Sequence, residues 1–291
     1  MRRVAEEGAA LYVPDGARFV PTVYAQGPWD ANAQFGGAPN ALVATLVERT
    51  PALAPMQLAR LTTDLMRPVP LQPITAEVRV VREGKKIQVV AVSLLADGIE
   101  VVRSTALRLR RADLGLEGLP DGREPVALPG PRPVDADPFP PEPHGGRLAT
   151  EYLHEATGGH YFDPTWVRLR VDVIAGERPL PVARVAHAAD LASGGPHRFT
   201  VPVTWINADL TVNMVREPAG DWLQIDGGGW VGGHGLGQAQ AVMSDTGGVV
   251  ASVTAVRLVD RPGADGHTLP PALVQPERHR LAGHPDPSRT G

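Results

Sequence analysis

The 291-residue chain contains no cysteine, which excludes disulfides, zinc–thiolate centres and a cysteine nucleophile. Lysine is nearly missing as well: Lys85 and Lys86 are the whole supply, so the positive charge is almost entirely arginine. A net charge of −4 gives no basic footprint for nucleic acid. No stretch approaches the roughly 18 apolar residues of a membrane span. Met1 to Gly8 carries Arg2 and Arg3 with no apolar run behind them, so a signal peptide is not expected either. No Gly-x-Ser-x-Gly elbow is found, which argues against a serine hydrolase of the α/β type. His154, His160, His187, His197 and His234 do not fall at a metal-binding spacing. The expectation is a cytoplasmic globular protein with no metal, no cofactor, and neither nucleic acid nor membrane as a partner.

What the chain does contain is the same passage twice, 149 residues apart. In the first copy Leu61, Asp64-Leu65-Met66-Arg67 and Gly84 lead to Thr105-Ala106-Leu107-Arg108-Leu109. In the second, Leu210, Asn213-Met214-Val215-Arg216 and Gly233 lead to Thr254-Ala255-Val256-Arg257-Leu258. Two copies are too few for a solenoid and predict a tandem pair of one small fold. Nine of the thirty residues from 117 to 146 are proline, which suits neither a helix nor a central strand. The predicted organisation is an N-terminal unit over 10–112, a proline-rich linker over 113–147, a C-terminal unit over 148–260 and a loose tail over 261–291.

Each half reads as one helix followed by strands. Gly36-Gly37-Ala38-Pro39 opens an apolar stripe through Leu42, Val43, Leu46 and Val47, with Pro39 suited to a first helical turn. Strands are predicted over Met56–Met66, Ile74–Arg82, Ile87–Leu95 and Ile99–Arg110, with turns at Glu83-Gly84-Lys85-Lys86 and Asp97-Gly98. The second helix is predicted over Pro181–Ala192, stopped by Gly194-Gly195-Pro196. Strands then follow over Val203–Val215, Trp222–Val231, Leu236–Ser244 and Val249–Val259. One helix and an antiparallel meander pack by curling the sheet around the helix. The fold class is therefore α+β: a tandem, or double, hotdog with two long helices, each wrapped by an antiparallel sheet. The glycine-rich run from Gly227 to Gly237 lacks a Gly-Lys-Ser/Thr signature and is expected to form a strand and hairpin around Gly232-Gly233 that makes room at an interface.

Asp190 is the leading candidate for chemistry. It lies in the last turn of the second helix, where a carboxylate opposes the helix dipole, on the stripe shared with Val182 and Ala186. A carboxylate in that position is costly unless it is paired or used; the alternative is a solvated residue at a frayed end. Gly36 and Gly37 precede the first helix, where free amides can hold an anion or polarise a carbonyl, or where glycine serves only a tight turn. His187, three residues before Asp190, could pair with it, or it could be a packed core histidine.

The chain resembles the acyl-CoA thioesterase-like superfamily of double-hotdog proteins, the type-II acyl-CoA thioesterases and their relatives, from about Phe19 to Val259. The residues that carry this are Gly27-Pro28-Trp29, Ala33-Gln34-Phe35-Gly36-Gly37, Asp64-Leu65-Met66-Arg67-Pro68-Val69-Pro70, Ala189-Asp190-Leu191-Ala192-Ser193-Gly194 and Ile206-Asn207-Ala208-Asp209-Leu210-Thr211-Val212. The resemblance implies hydrolysis of acyl-CoA or another acyl thioester by an activated water, held by an Asp, a Thr and a Gln. The Asp falls on Asp190, the Thr position holds Asn207, and the Gln position holds Ala255, which can neither donate nor accept. Loss of one such group costs roughly 10²–10³ in rate, so the resemblance implies impaired turnover. Phe35 replaces the family's common His before Gly36-Gly37 and is expected at an apolar, substrate-binding pocket mouth. Two other readings stay open: a non-hydrolytic binder of acyl thioesters or apolar small molecules, and a specialised-metabolism hotdog enzyme of dehydratase or cyclase type. A homo-oligomer is expected, because a double hotdog leaves sheet edges and an apolar outer face.

Overall fold

The computed structural model describes residues 8–28, 30–115, 148–154, 164–191 and 204–261. Nearly all of the linker and tail, Trp29, the Gly194-Gly195-Pro196 stop, His160 and His197 lie outside the described residues.

Among the described residues there are fourteen strands in a single sheet and two α-helices. In chain order the strands are β1 (Ala10–Asp15), β2 (Arg18–Pro21), β3 (Met56–Leu65), β4 (Ile74–Arg82), β5 (Ile87–Ala96), β6 (Ile99–Arg110), β7 (Thr150–His154), β8 (Thr165–Leu169), β9 (Asp172–Ile174), β10 (Thr204–Asn207), β11 (Asp209–Met214), β12 (Trp222–Val231), β13 (Leu236–Asp245) and β14 (Gly248–Asp260). The helices are α1 (Gly37–Arg49) and α2 (Pro181–Leu191). The spatial order is β7-β8-β12-β13-β14-β11-β3-β6-β5-β4-β2-β1-β9, with β10 also on β14. Every pairing is antiparallel except β1 with β9.

The repeat is visible as symmetry. β3 and β11 join the two halves, and Thr62 pairs with Thr211, its counterpart 149 residues on. The sheet then unfolds in the same order on either side, β6-β5-β4 and β14-β13-β12. Both halves also share an irregularity. The β3–β6 register shifts between Leu58 and Arg60, and the corresponding chain in the second half breaks at Ala208 into β10 and β11. The pairing with β14 slips by one residue there, from Asn207↔Arg257 to Thr211↔Thr254. A single strand over Val203–Val215 was the expectation; one extra residue bends it instead, as a bulge does.

The order within each half also departs from the expectation of a helix followed by strands. β1 and β2 precede α1, and β7, β8 and β9 precede α2. These strands are short, which weakens an alternating pattern. In the second half Trp166, Val167 and Leu169 of β8 and Val173 and Ile174 of β9 are all buried.

The helices touch each other and the inner face of the sheet: α1 meets β3, β5, β6 and β9, and α2 meets β8, β11 and β12. Enclosure explains why both are buried almost all round, α1 from Gly37 to Thr45 and α2 from Val182 to Ala189. α1 stops at Arg49 because Thr50 precedes Pro51 and is held extended.

Candidate active site

The site lies where the C-terminal end of α2 meets the N-terminus of α1. Asp190, one residue before the end of α2, accepts a 2.8 Å hydrogen bond at Oδ1 from Asn207 Nδ2. The same amide nitrogen reaches the Asp190 carbonyl oxygen at 3.3 Å. Both contacts need a donor, so the amide orientation is set and Asn207 Oδ1 points the other way. That oxygen is buried and has no hydrogen-bond partner among the described residues.

Asp190 has its own helix dipole against it, but it faces the amides of Gly36 and Gly37 at the start of α1, the end of a helix that favours an anion. The sequence position that looked unfavourable is thus answered by the neighbouring helix. Burial is the largest influence on this carboxyl group and holds its pKa above the usual aspartate value. The Asn207 hydrogen bond, the Gly37 amide, the Arg257 charge and the Gly36 amide offset part of that rise.

At both amides a side chain would crowd the site. A Cβ on Gly36 would stand 2.7 Å from Asp190 Oδ1, and one on Gly37 would meet the Phe35 ring at 2.3 Å and the His187 carbonyl oxygen at 2.7 Å. The preceding segment is fixed by Gln34, which accepts from Tyr12 Oη at 2.5 Å and donates to the Pro70 carbonyl at 2.7 Å.

Phe35 is buried and meets His187 edge-on, with ring centroids 5.0 Å apart. His187 does not pair with Asp190; its Nε2 lies 2.8 Å from Thr150 Oγ1. Complete burial lowers its pKa to about 3, so it is a neutral core histidine. That removes the base–carboxylate pair which motivated the dehydratase or cyclase reading.

Ala255 is 3% exposed and packs with Leu210 and Ala239. Methyl and isobutyl groups close over it. Among the described residues no cluster of His, Asp or Glu could hold a metal ion.

Two groups at the site escaped the sequence reading. Asn40 of α1, fully buried, donates to the Ala186 carbonyl of α2 at 2.7 Å and accepts from Thr63 Oγ1 at 2.8 Å. Its signal was one amide within an otherwise apolar helix. Arg257 of β14 is buried and stands opposite Asn207 in the register, and its charge lowers the pKa of Asp190 in part. Its signal was an arginine alternating in phase with Val253 and Ala255.

Comparison with known proteins agrees with this architecture. The family model for the acyl-CoA thioesterase N-terminal domain matches residues 25–109, and that for the acyl-CoA thioesterase C-terminal domain matches residues 122–259. No match was found among curated protein sequences. Among solved structures, the acyl-CoA thioesterase II TesB2 of Mycobacterium marinum is 18% identical with a TM-score of 0.58, over 80% of this chain and 92% of that one. The tesB protein of Mycobacterium avium subs paratuberculosis is 19% identical with a TM-score of 0.58, over 83% and 92%. A conserved protein with the hot dog fold from Alicyclobacillus acidocaldarius is 18% identical with a TM-score of 0.61, over 88% and 97%. At such identities the structural likeness speaks for the fold, an α+β double hotdog. The family models speak for descent, one for each half and together covering most of the sequence: the chain belongs to the acyl-CoA thioesterase family.

Proposed function

We propose that the protein hydrolyses acyl-CoA thioesters by direct attack of water, with Asp190 as general base, Asn207 as its partner in holding that water, and no covalent enzyme intermediate. The observation that carries this reading is the half-buried Asp190–Asn207 pair set against the first amides of α1. The Asp190 carboxylate and Asn207 Oδ1, which has no hydrogen-bond partner among the described residues, are both acceptors. A water between them donates both hydrogens and turns a lone pair toward the thioester carbonyl. Asp190 takes one proton as the water oxygen bonds to the carbonyl carbon. The C–S bond then breaks, and that proton passes to the departing CoA sulfur, leaving the free acid. The Gly36 and Gly37 amides, which face the carboxylate in the resting protein, are the donors available to the carbonyl oxygen as it gains charge. Phe35 provides apolar surface beside them. A base with a raised pKa is better matched to this work near neutral pH than an ordinary aspartate.

In this reading each helix is wrapped chiefly by its own half of the sheet, and the two units span 10–112 and 148–260. The location is the cytoplasm, where acyl-CoA is made and used, and the protein works as a homo-oligomer. Among the described residues no helix is long and apolar enough to cross a membrane.

The test is Asp190→Asn, assayed on a series of acyl-CoA chain lengths by release of free thiol. Turnover should fall by about 10²–10⁴. Thermal stability at pH 7 should hold or rise, because a carboxyl group whose pKa is raised by folding is destabilised in its charged form. Wild-type turnover in this variant would reject the reading.

A further inference from the structure

At the far end of the β3–β11 seam from Asp190 the surface opens into a second cleft. It measures about 610 Å³, within the usual range of small-molecule sites. Gln57 and Ala59 of β3, Leu109 and Arg110 of β6, Arg111 and Met214 of β11 line it. From here β3 runs on to Leu65, whose side chain lies beside Gly36 at the candidate active site. At roughly 3.3 Å per residue the two places stand about 25 Å apart.

The repeat relates this end of the seam to the other. Gln57 and Ala59 answer to Ile206 and Ala208, the neighbours of Asn207, and Met214 answers to Leu65. Leu58 stands where Asn207 stands and offers no group to hold a water. Glu48, one residue before the end of α1 as Asp190 is in α2, lies 3.7 Å from Arg108. The charge differs as well, because Arg110 and Arg111 replace the counterparts Val259 and Asp260. Arg111 is paired with Glu217. Arg110 is exposed, and among the described residues no hydrogen bond or ion pair holds its side chain. Its backbone amide donates to the Lys86 carbonyl at 3.0 Å, which brings the exposed Lys85-Lys86 turn, the only lysines of the chain, alongside. Asp113 also lines the cleft, and its Oδ1 already accepts from the Gly115 amide at 3.0 Å. Arg110, Lys85 and Lys86 thus form a cationic rim with no carboxylate partner among the described residues.

We propose that this cleft is a second, non-catalytic binding site for coenzyme A, with Arg110 and the Lys85-Lys86 turn taking its 3′-phosphate and diphosphate groups. Arginine and lysine hold such groups by charge-assisted hydrogen bonds, and a cleft of this volume admits a nucleotide. The choice of coenzyme A among phosphorylated ligands rests on the proposed acyl-CoA activity. The phosphate chemistry rests on the cations alone, and neither depends on Asp190 being the base.

The experiment is calorimetric titration of coenzyme A, ADP and inorganic phosphate into wild type, Arg110→Glu, Arg110→Ala and Arg110→Lys, with acyl-CoA turnover measured on the same proteins. Wild type should show a coenzyme A binding event that Arg110→Glu and Arg110→Ala weaken about tenfold or more and Arg110→Lys keeps. ADP and phosphate should bind there more weakly, because each carries fewer phosphate groups. The KM and kcat of Arg110→Glu should stay within about two-fold of wild type, as for a surface change away from the chemistry. Coenzyme A binding that ignores Arg110 would overturn the inference. A KM raised in step with the lost binding would overturn it too, by making Arg110 part of the substrate site. ADP or phosphate binding as tightly as coenzyme A would remove coenzyme A as the occupant. Failure of all three variants to fold would make Arg110 structural and end the proposal. A wild type that releases no thiol from acyl-CoA would reject the hydrolytic reading instead, and the titrations would still be read.

Discussion

At the scale of single residues, the two glycines at the head of α1 have separable consequences. Gly36 has a helical backbone, φ −62° and ψ −24°, that alanine adopts without strain. The new methyl would press on Asp190 Oδ1 and shift the carboxylate. Gly36→Ala should therefore lower kcat by about 10², the usual scale for a small misplacement of a reacting group, and change the melting temperature little. Gly37→Ala would drive its methyl into the Phe35 ring and the backbone of α2. It should cost about 1–3 kcal/mol of stability, read from urea unfolding. His187 gives a prediction with a definite sign. Its folded pKa, about 3, lies below the ordinary histidine value of 6.5, so the unfolded chain takes up a proton that the folded chain refuses. Its contribution is intact above pH 6.5 and is lost on acidification, by about 1.4 kcal/mol per pH unit down to pH 3 or so. A His187→Asn variant should lose that slope between pH 6 and 4, measured by denaturant midpoints. Asp190 was legible because a carboxylate on an apolar stripe is costly. What cancels that cost, the start of another helix about 150 residues away in sequence, is a tertiary fact that no local pattern contains.

At the scale of elements, the activity depends on how α2 is placed against α1, and Asn40 is the link. Its amide joins the Ala186 carbonyl, one turn before Asp190, to Thr63 of β3, and Thr63 lies 3.0 Å from Ser104 of β6. All three side chains are buried. Asn40→Leu has similar bulk but leaves the Thr63 hydroxyl and the Ala186 carbonyl with one partner fewer each, costing about 1–3 kcal/mol. It also releases α2, so kcat should fall while KM for acyl-CoA changes less, measured by steady-state kinetics on the folded variant. The longer elements were legible from turn chemistry and periodicity. β4 and β6 have the predicted boundaries, as does β12 in the second half. The short strands β1, β2 and β7–β9 were not legible, since three to six residues carry too few alternations to stand out. The break at Ala208 was hidden for another reason. A bulge conserves composition and changes only register, and register is set by the partner strand.

At the scale of the whole molecule, the sheet has an inner face committed to the helices and an outer face with conspicuous apolar content. On β12–β14, Trp230 is 60% exposed and Leu236 62% exposed, and Val242, Val256 and Leu258 are exposed on the same side. Register puts Trp230, Gln238 and Val256 in one row across the three strands, with Leu236 beside Leu258 in the next. Isolated apolar residues on a surface need no explanation, whereas a contiguous patch centred on a tryptophan marks a contact. Because side chains alternate along a strand, these residues point away from Ala255 and Arg257, so burying them against another copy leaves the site untouched. Two copies related by a two-fold axis would bury the patch symmetrically. Light scattering at micromolar concentration should accordingly give a multiple of the 30.9 kDa protomer mass. Trp230→Lys should shift the particle toward the protomer while leaving kcat within about two-fold of wild type, because a lysine in an apolar contact must either be desolvated or exclude the partner. A wild-type particle of protomer mass would refute the assembly, and a dissociated variant that loses activity would show that a neighbouring copy completes the site.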